Sequence, residues 1–465
     1  MIDFLESRRI DINYQYFGGD PFSLMQKAGK SVADQIRKEY GSGIRVLAVC
    51  GTGNNAGDGI VAATNLSMEC NVAVCLVKGS ESLKTTESRR AFLQYRGNFI
   101  EFTRIKDEIS TYDVIVDALL GYGMSGTPKG EVAEAIRIIN ESGKRVVSVD
   151  IPSGLGTELS VKPEMTITFF DVKKGMDSSN SGKIVVDNLG VGEEFLRKSG
   201  PGDFLYLKLP DPESHKGMNG RVAMVAGHTY YGSAVIAAFG SIRTGSDLVK
   251  VFTSAANVQK ISSYDPQIIA TVLNENSLQQ IENSDSALIG PGNGDADVLE
   301  ALKPLRRWPK TLVLDAEAIS DFKAYRDLAP GSVIIATPHK GEFKRASGMD
   351  PSESAAREFA KKSGMIILLK GKQDIITDGV RTFVCDGGNA RMSMGGTGDL
   401  LAGEVASIVN KTNDPLRAGS IAAFVNKRSG ELAYTDKLFW YDVMDMIGKI
   451  PEVFRLIRKY NIAKV

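Results

Sequence analysis

Residues 44–59 read IRVLAVCGTGNNAGDG, an apolar, β-branched run that breaks into four glycines within nine residues. The run 44–50 predicts a buried strand and the stretch 60–68 a helix, so the glycines fall at a strand-to-helix turn. Glycine there permits a tight turn and lets a phosphate approach the backbone N–H groups that open the helix. The loop holds G-x-G-x-x-A, a variant of the dinucleotide fingerprint. Two features argue against an ordinary hydride-transfer site. The next strand runs out as Leu76-Val77-Lys78, with no acid where a ribose-binding carboxylate belongs. Asp58, moreover, sits where a pyrophosphate would approach and would repel it without an intervening cation. The plainer alternative is that Asn54, Asn55 and Asp58 only cap the helix.

The same alternation continues downstream. Residues 71–77, 113–120 and 145–150 predict further strands, with a helix over 132–142. Continuous apolar strands separated by helices predict a parallel sheet covered on both faces. Strand C-termini in such a sheet face one crevice. Asn55, Asp117 and Ser153 each lie at such an end and can offer oxygens to a monovalent cation. The segment 121–127 (GYGMSGT) can wrap a second phosphate. Each aspartate alone is more often a turn former; three polar strand ends together favour function.

A stretch rich in proline and glycine at 197–213 reads as a connector, after which the pattern restarts. Strands are expected at 222–226, 248–253, 287–290, 311–315, 333–336 and 365–369, with a helix over 233–243. A hairpin over 374–385 turns at Asp378-Gly379, and the chain is helical from about 398. Two domains follow, 1–205 and 210–465. In the second, residues 395–403 read GGTGDLLAG and run into a helix, a glycine-built anion site with Asp399 aimed at whatever it holds. A helix cap is the alternative role for Asp399. Other strand ends fit the same site: GPGNG (290–294), DAEA (315–318), TPHKGEF (337–343, with His339 and Glu342) and LKG (369–371, with Lys370 placed for a nucleotide phosphate). His215 reads as positional and His228 carries no signal.

Composition narrows the class. Lys plus Arg and Asp plus Glu each total 56, and a net charge of zero argues against a dedicated nucleic-acid or membrane-surface binder. The four cysteines form no C-x-x-C pair, and the three histidines are far apart, so neither disulfide staples nor a structural zinc is expected. No apolar run approaches a bilayer span, and the charged start MIDFLESRRID lacks a signal-peptide core. A cytoplasmic protein is the expectation.

GTGNNAGDG, VDALLGYG and DIPSG, in this order, together with LMQKAG (24–29) and FFDVKKG (169–175), resemble the NAD(P)H-hydrate epimerase family. GPGNG, LDAEAI, TPHKGEF and GGTGDLLAG, with HKGMNGRVAMVAG and GSAVIAA, resemble the ADP- or ATP-dependent NAD(P)H-hydrate dehydratases. The resemblance implies an α/β chain with an N-terminal Rossmann-like three-layer αβα domain followed by a ribokinase-like α/β domain. It implies a bifunctional repair enzyme acting on the hydrates of NADH and NADPH, with R and S epimers at C6. It also implies potassium at Asn55, Asp117 and Ser153, and magnesium with ADP or ATP.

By the same resemblance the catalytic residues are Asp399, Asp150 and Lys173. Substrate contacts fall on Asn54, Asn55, Ala56, Gly57, Asp58, on Gly121, Tyr122, Gly123, Met124, Ser125, Gly126, Thr127, and on Asp150, Ser233, Gly294, His339 and Asp399. Nucleotide contacts fall on Lys370, Gly371, Lys372, Gln373, Asp374, Gly396, Thr397 and Gly398. A homo-oligomer is expected, with no nucleic-acid or membrane partner. The chain departs from the family at Ala56 (usually glycine), Val172 (usually proline), Ser233 (usually alanine) and Asp374, near which the family usually carries a threonine. Val172 leaves Lys173 and Lys174 both open as the family's lysine. Two rivals remain: a small-alcohol or vitamin-precursor kinase using the same GTGD loop, and a first domain that serves only as a binding scaffold.

Overall fold

Alternate residues of one strand enter two different cores, which fixes the layering of the first half of the chain. Val46, Ala48 and Cys50 of β1 (Arg45–Cys50) pack with α2 (Pro21–Tyr40) and α3 (Asn54–Leu66). Leu47 and Val49 pack on the other face with the helix Gly130–Glu141. A strand buried on both faces between helices makes a three-layer α/β/α sandwich. The computed structural model describes residues 1–123 and 126–464, so Met124 and Ser125 lie outside the described residues. It divides into two compact units, Met1–Leu196 and Arg197–Val465.

In the first unit β1, β2 (Asn71–Leu76), β3 (Asn98–Ile100), β4 (Val114–Ala118), β5 (Arg145–Val149), β6 (Met165–Phe169) and β7 (Lys183–Asp187) form one sheet in the order β3-β2-β1-β4-β5-β6-β7. Every pairing in it is parallel. The preceding helix α1 (Phe4–Tyr16) is tied down at its start, where Ile2 N–H donates to Val172 O and Lys174 N–H donates to Ile2 O.

The second unit holds β8 (Arg221–Val225), β9 (Leu248–Thr253), β10 (Ile268–Val272), β11 (Ser286–Ile289), β12 (Thr311–Leu314), β13 (Val333–Ala336), β14 (Ile366–Leu369), β15 (Asp374–Thr377) and β16 (Thr382–Cys385), in the order β10-β9-β8-β11-β12-β13-β14-β15-β16. It is parallel from β10 to β14; the hairpin of β15 and β16 continues it antiparallel.

Three expectations change. The helix after β1 begins at Asn54, not near residue 60, so most of the glycine loop is helical. The reason is packing: a Cβ on Gly57 would lie 2.4 Å from Met25 Cε, and one on Gly59 2.4 Å from Ala118 Cβ, so these glycines let α3 approach its neighbours. Strands β3, β6, β7 and β10 were not expected; β3, β7 and β10 carry exposed positions that blur the apolar run. Residues 197–205, expected to close the first domain, fold with the second unit. There Phe204 is fully buried against Phe424 and Phe454, and Asp203 pairs with Arg417 at 2.7 Å.

Candidate active sites

In the first unit the sheet order turns at β1 and β4, so the loops leaving them open one crevice. A cavity of about 630 Å³ occupies it. Gly53 caps α3 with no side-chain hydrogen bond, so neither Asn54, Asn55 nor Asp58 plays the capping role, and the opening amides stay unclaimed by side chains. Asn55 Nδ2 donates to Leu120 O (3.0 Å), while its buried Oδ1 has no hydrogen-bond partner among the described residues. Leu120 N–H donates to Ser153 Oγ (2.9 Å), and Ser153 Oγ to Asp117 Oδ1 (2.6 Å). The three residues expected at a cation site thus share one network. Asp117 is fully buried and accepts also from Ser153 N, Ser148 Oγ and Leu119 N. Burial raises its carboxyl above the ordinary carboxylate range, and those hydrogen bonds pull the other way.

Asp150 follows β5 with φ +66°, a left-handed conformation that costs a non-glycine residue about 1–2 kcal/mol. Its Oδ1 lies 2.8 Å from Lys173 Nζ. Lys173 is 1% exposed and donates also to Thr168 Oγ1 (3.0 Å) and Phe169 O (2.7 Å). Lys174 is exposed, so Lys173 is the lysine that reaches Asp150. Gly121, Tyr122 and Gly123 line the cavity, as do Asn54, Asn55 and Asp58. Gly126 and Thr127 are exposed and do not line it, while Ala56 and Gly57 are buried on the core side of α3. Burial, then Asp150 and Asp11, push the Asp58 carboxyl well up.

Sequence reasoning missed Asp11, which lines the same cavity from α1. Its side chain is exposed, yet the surrounding protein and then Asp150 raise its carboxyl to about 7, against the pull of Lys173 and Arg8. Its helix reads FLESRRIDINYQY, a charged surface pattern with no motif to single it out.

In the second unit the helix Thr397–Ile408 starts from Gly396, whose φ of +94° suits glycine, again without a side-chain cap. Asp399 stands in its first turn; burial and the nearby Asp315 raise its carboxyl to about 6, against the pull of the neighbouring Ser233. Lys370, at the end of β14, pairs with Asp315 Oδ1 at 2.9 Å and stands 3.9 Å from Glu342 Oε2. A Cβ on Gly398 would lie 3.2 Å from Lys370 Nζ, so glycine leaves room for the ammonium beside the anion loop. Ser233 and Gly292 of the GPGNG loop are in contact range, and Asn293 of that loop receives His228 Nδ1 at 3.0 Å. The glycine loops, Lys370, Asp315, Glu342 and Asp399 therefore surround one place. His339 caps the helix Lys340–Ser347: its Nδ1 accepts from Gly341 N and Glu342 N, its Nε2 lies 3.3 Å from Glu342 Oε1, and the ring is exposed.

Gly371 to Asp374 form the turn after Lys370. Asp374, 5% exposed, faces inward: Oδ1 accepts from Gly371 N (2.8 Å), and Lys427 Nζ is 3.5 Å from Oδ2. Lys427 donates to Gly371 O and Lys372 O, and Gln373 Nε2 to Asp386 Oδ1. Lys427 was missed because nothing in the helix Pro415–Lys437 marks it.

A sequence model described as NAD(P)H-hydrate dehydratase matches residues 222–452, and one described as the N-terminus of YjeF-related proteins matches 21–175. The bifunctional NAD(P)H-hydrate repair enzyme Nnr of Pyrobaculum aerophilum is 34% identical, over 97% of this chain and 96% of its own length. The chain belongs to the family of bifunctional NAD(P)H-hydrate repair enzymes. Another member, from Hyperthermus butylicus, is 35% identical over 95% of this chain and 90% of its own. In the second unit of this family member the fold is also that of a ribokinase-like superfamily protein of Enterococcus faecalis, with TM-score 0.50 and 22% identity over 57% of this chain and 96% of that one. Among the described residues no helix is long and apolar enough to cross a membrane.

Proposed function

We infer that this chain repairs hydrated NADH and NADPH: the first unit interconverts the R and S epimers at C6, and the second dehydrates the S epimer with ADP or ATP. The observation that carries the reading is the meeting of Asp399, Lys370 and the uncapped GTGD helix start in one site. Hydroxide is a poor leaving group, and phosphorylation converts the C6 hydroxyl into a phosphate. Asp399 takes the hydroxyl proton, for which a carboxyl raised to about 6 is better matched than an ordinary one. The opening amides of the helix at Thr397–Ile408 and the Lys370 ammonium stabilise charge on the transferring phosphoryl. Ser233 lies beside Asp399. Lys427 braces the turn of Gly371 and Lys372 from behind, with Asp374 inside it, so nucleotide contacts there run through the backbone and Lys372.

Magnesium accompanies the nucleotide. Among the described residues no three His, Cys, Asp or Glu side chains form a metal group, which suits an ion that arrives with phosphates better than a resident one. In the first unit the unpartnered Asn55 Oδ1 beside the buried Asp117 fits a monovalent cation, and potassium would offset the repulsion between Asp117 and a pyrophosphate. Asp150, oriented by Lys173, takes and returns the proton of the C6 hydroxyl while the C6 centre is opened and reclosed.

The test is incubation of the full chain with an R/S mixture of hydrated NADH and either ADP or ATP. Absorbance of reduced nicotinamide should return for the whole mixture. Return of none, with phosphorylation of a small alcohol instead, would point to a kinase. Prompt repair of R by a chain truncated to residues 197–465 would make the first unit a scaffold.

A further inference from the structure

The carboxylates around the first cavity differ in one respect: Asp150 is ion-paired to a buried lysine, and Asp11 is not. α1 forms a wall of the cavity with one face, at Phe4, Arg8, Asp11, Ile12 and Gln15, the spacing of a single helical stripe. The backbone bridge between Ile2 and Lys173 ties the start of that helix beside the segment holding Asp150's partner. Asp11 therefore reaches the cavity with no hydrogen-bond or ion-pair partner of its own among the described residues. The unpartnered, buried Asn55 Oδ1 on the same cavity independently marks it as a place built for a ligand.

We propose that Asp11 is a second catalytic residue of the first site, the general acid that protonates the ring nitrogen N1 while Asp150 acts as base on the C6 hydroxyl. The proposal rests on the epimerase reading. In the forward step the Asp150 carboxylate removes the hydroxyl proton, the C6–O bond becomes a carbonyl, and the C6–N1 bond breaks with its electron pair going to N1. Asp11 supplies the proton that N1 then binds. Rotation about C5–C6 presents the other face of the aldehyde. Reclosure returns the N1 proton to the Asp11 carboxylate and the Asp150 proton to oxygen, so no atom or electron is consumed and both side chains are restored. Two carboxylates with unlike surroundings are what such a pair requires. The surroundings of Asp11 that raise its carboxyl are the enclosing protein and Asp150, with Asp58 also within its field; Arg8 and Lys173 act against them, and Lys84 and Glu87 line the same cavity.

The experiment follows the separated R epimer of hydrated NADH to S by chiral chromatography, without nucleotide, in the full chain. Asp11→Asn should lower kcat by about 10²–10⁴-fold, with KM changed much less, because an amide has no proton to give at neutral pH. Dehydration of added S epimer should stay at the wild-type rate. Wild-type kcat should fall as pH rises through the raised carboxyl of Asp11, and the residual rate of Asp11→Asn should lack that fall. Asp11→Glu should recover a substantial part of the rate. Near-normal kcat in Asp11→Asn, a loss confined to KM, or an equal loss in the Glu variant would each overturn the proposal, whatever the variants' melting temperatures. A wild-type chain that leaves R and S unexchanged would instead refute the epimerase reading beneath it.

Discussion

Replacing Lys173 by methionine removes an ammonium whose every donor is used inside the protein. Nζ meets Asp150 Oδ1 at 2.8 Å, Phe169 O at 2.7 Å and Thr168 Oγ1 at 3.0 Å, and the side chain is 1% exposed. Methionine conserves most of the stem volume, so the loss is chiefly electrostatic. Removing one member of a buried ion pair costs about 3–5 kcal/mol, because the other charge is left uncompensated. Asp150 is 16% exposed and can recover some solvation, which places the expectation at the lower end. About 3 kcal/mol lowers the melting temperature of a unit of this size by about 6–12 °C. Calorimetry of the full chain should show this drop in one transition, with the other unmoved. Asp150→Asn leaves Lys173 its other acceptors and should cost less. The double variant should cost less than the two single losses added together, since the pair is one interaction. R-to-S conversion should vanish in every one of these variants, with S dehydration retained. An unshifted transition in Lys173→Met, or strict additivity in the double variant, would refute the claim that this lysine acts by holding Asp150.

Further outcomes are expected. Asp399→Asn should bind nucleotide normally yet lose about 10²–10⁴-fold in S dehydration; in the wild type that rate should climb with pH through about 6, as the raised carboxyl becomes a base, and the variant should lack the climb. Gly398→Ala puts a Cβ 3.2 Å from Lys370 Nζ, and titration calorimetry should show nucleotide affinity weakened by about tenfold or more, the worth of a charge-assisted hydrogen bond; unchanged affinity would detach Lys370 from the phosphates. Asn55→Leu deletes the unpartnered Oδ1, and R-epimer conversion should lose its dependence on potassium over sodium or choline; equal wild-type rates in all three salts would sink the cation site.

Much of the architecture was legible because buried parallel strands are written as uninterrupted apolar runs, as in IRVLAVC before the first glycines. Strands with exposed positions escaped, β7 (KIVVD) among them, since a half-buried edge looks like any polar segment. The start of α3 escaped for a different reason. Asn-Asn-Ala-Gly-Asp-Gly has poor helix propensity, and only contact with Met25 and Ala118 makes its glycines an advantage. Motif residues at strand ends were legible, since α/β sheets gather them at one edge. Asp11 and Lys427 were not, because each sits mid-helix in a charged stretch and acquires its role only through what the fold brings opposite.

The two lysines that the motifs singled out illustrate how geometry separates roles that sequence cannot. Both end segments leaving a parallel sheet, and both lie beside a carboxylate, Lys173 at 2.8 Å from Asp150 and Lys370 at 2.9 Å from Asp315. An ammonium has three protons to donate. Those of Lys173 are spent on Asp150, Thr168 and Phe169, so it can reach a substrate only through the carboxylate it holds. Lys370 has one firm partner, a second carboxylate at 3.9 Å, and a glycine loop kept clear in front of it. It retains donors for an incoming anion, and the acids behind it raise its affinity for the proton despite its burial, so in the proposed site it would meet a phosphate as a cation. On the proposed reading one lysine is a brace and the other a ligand contact, a distinction set by how many donors the fold leaves unspent.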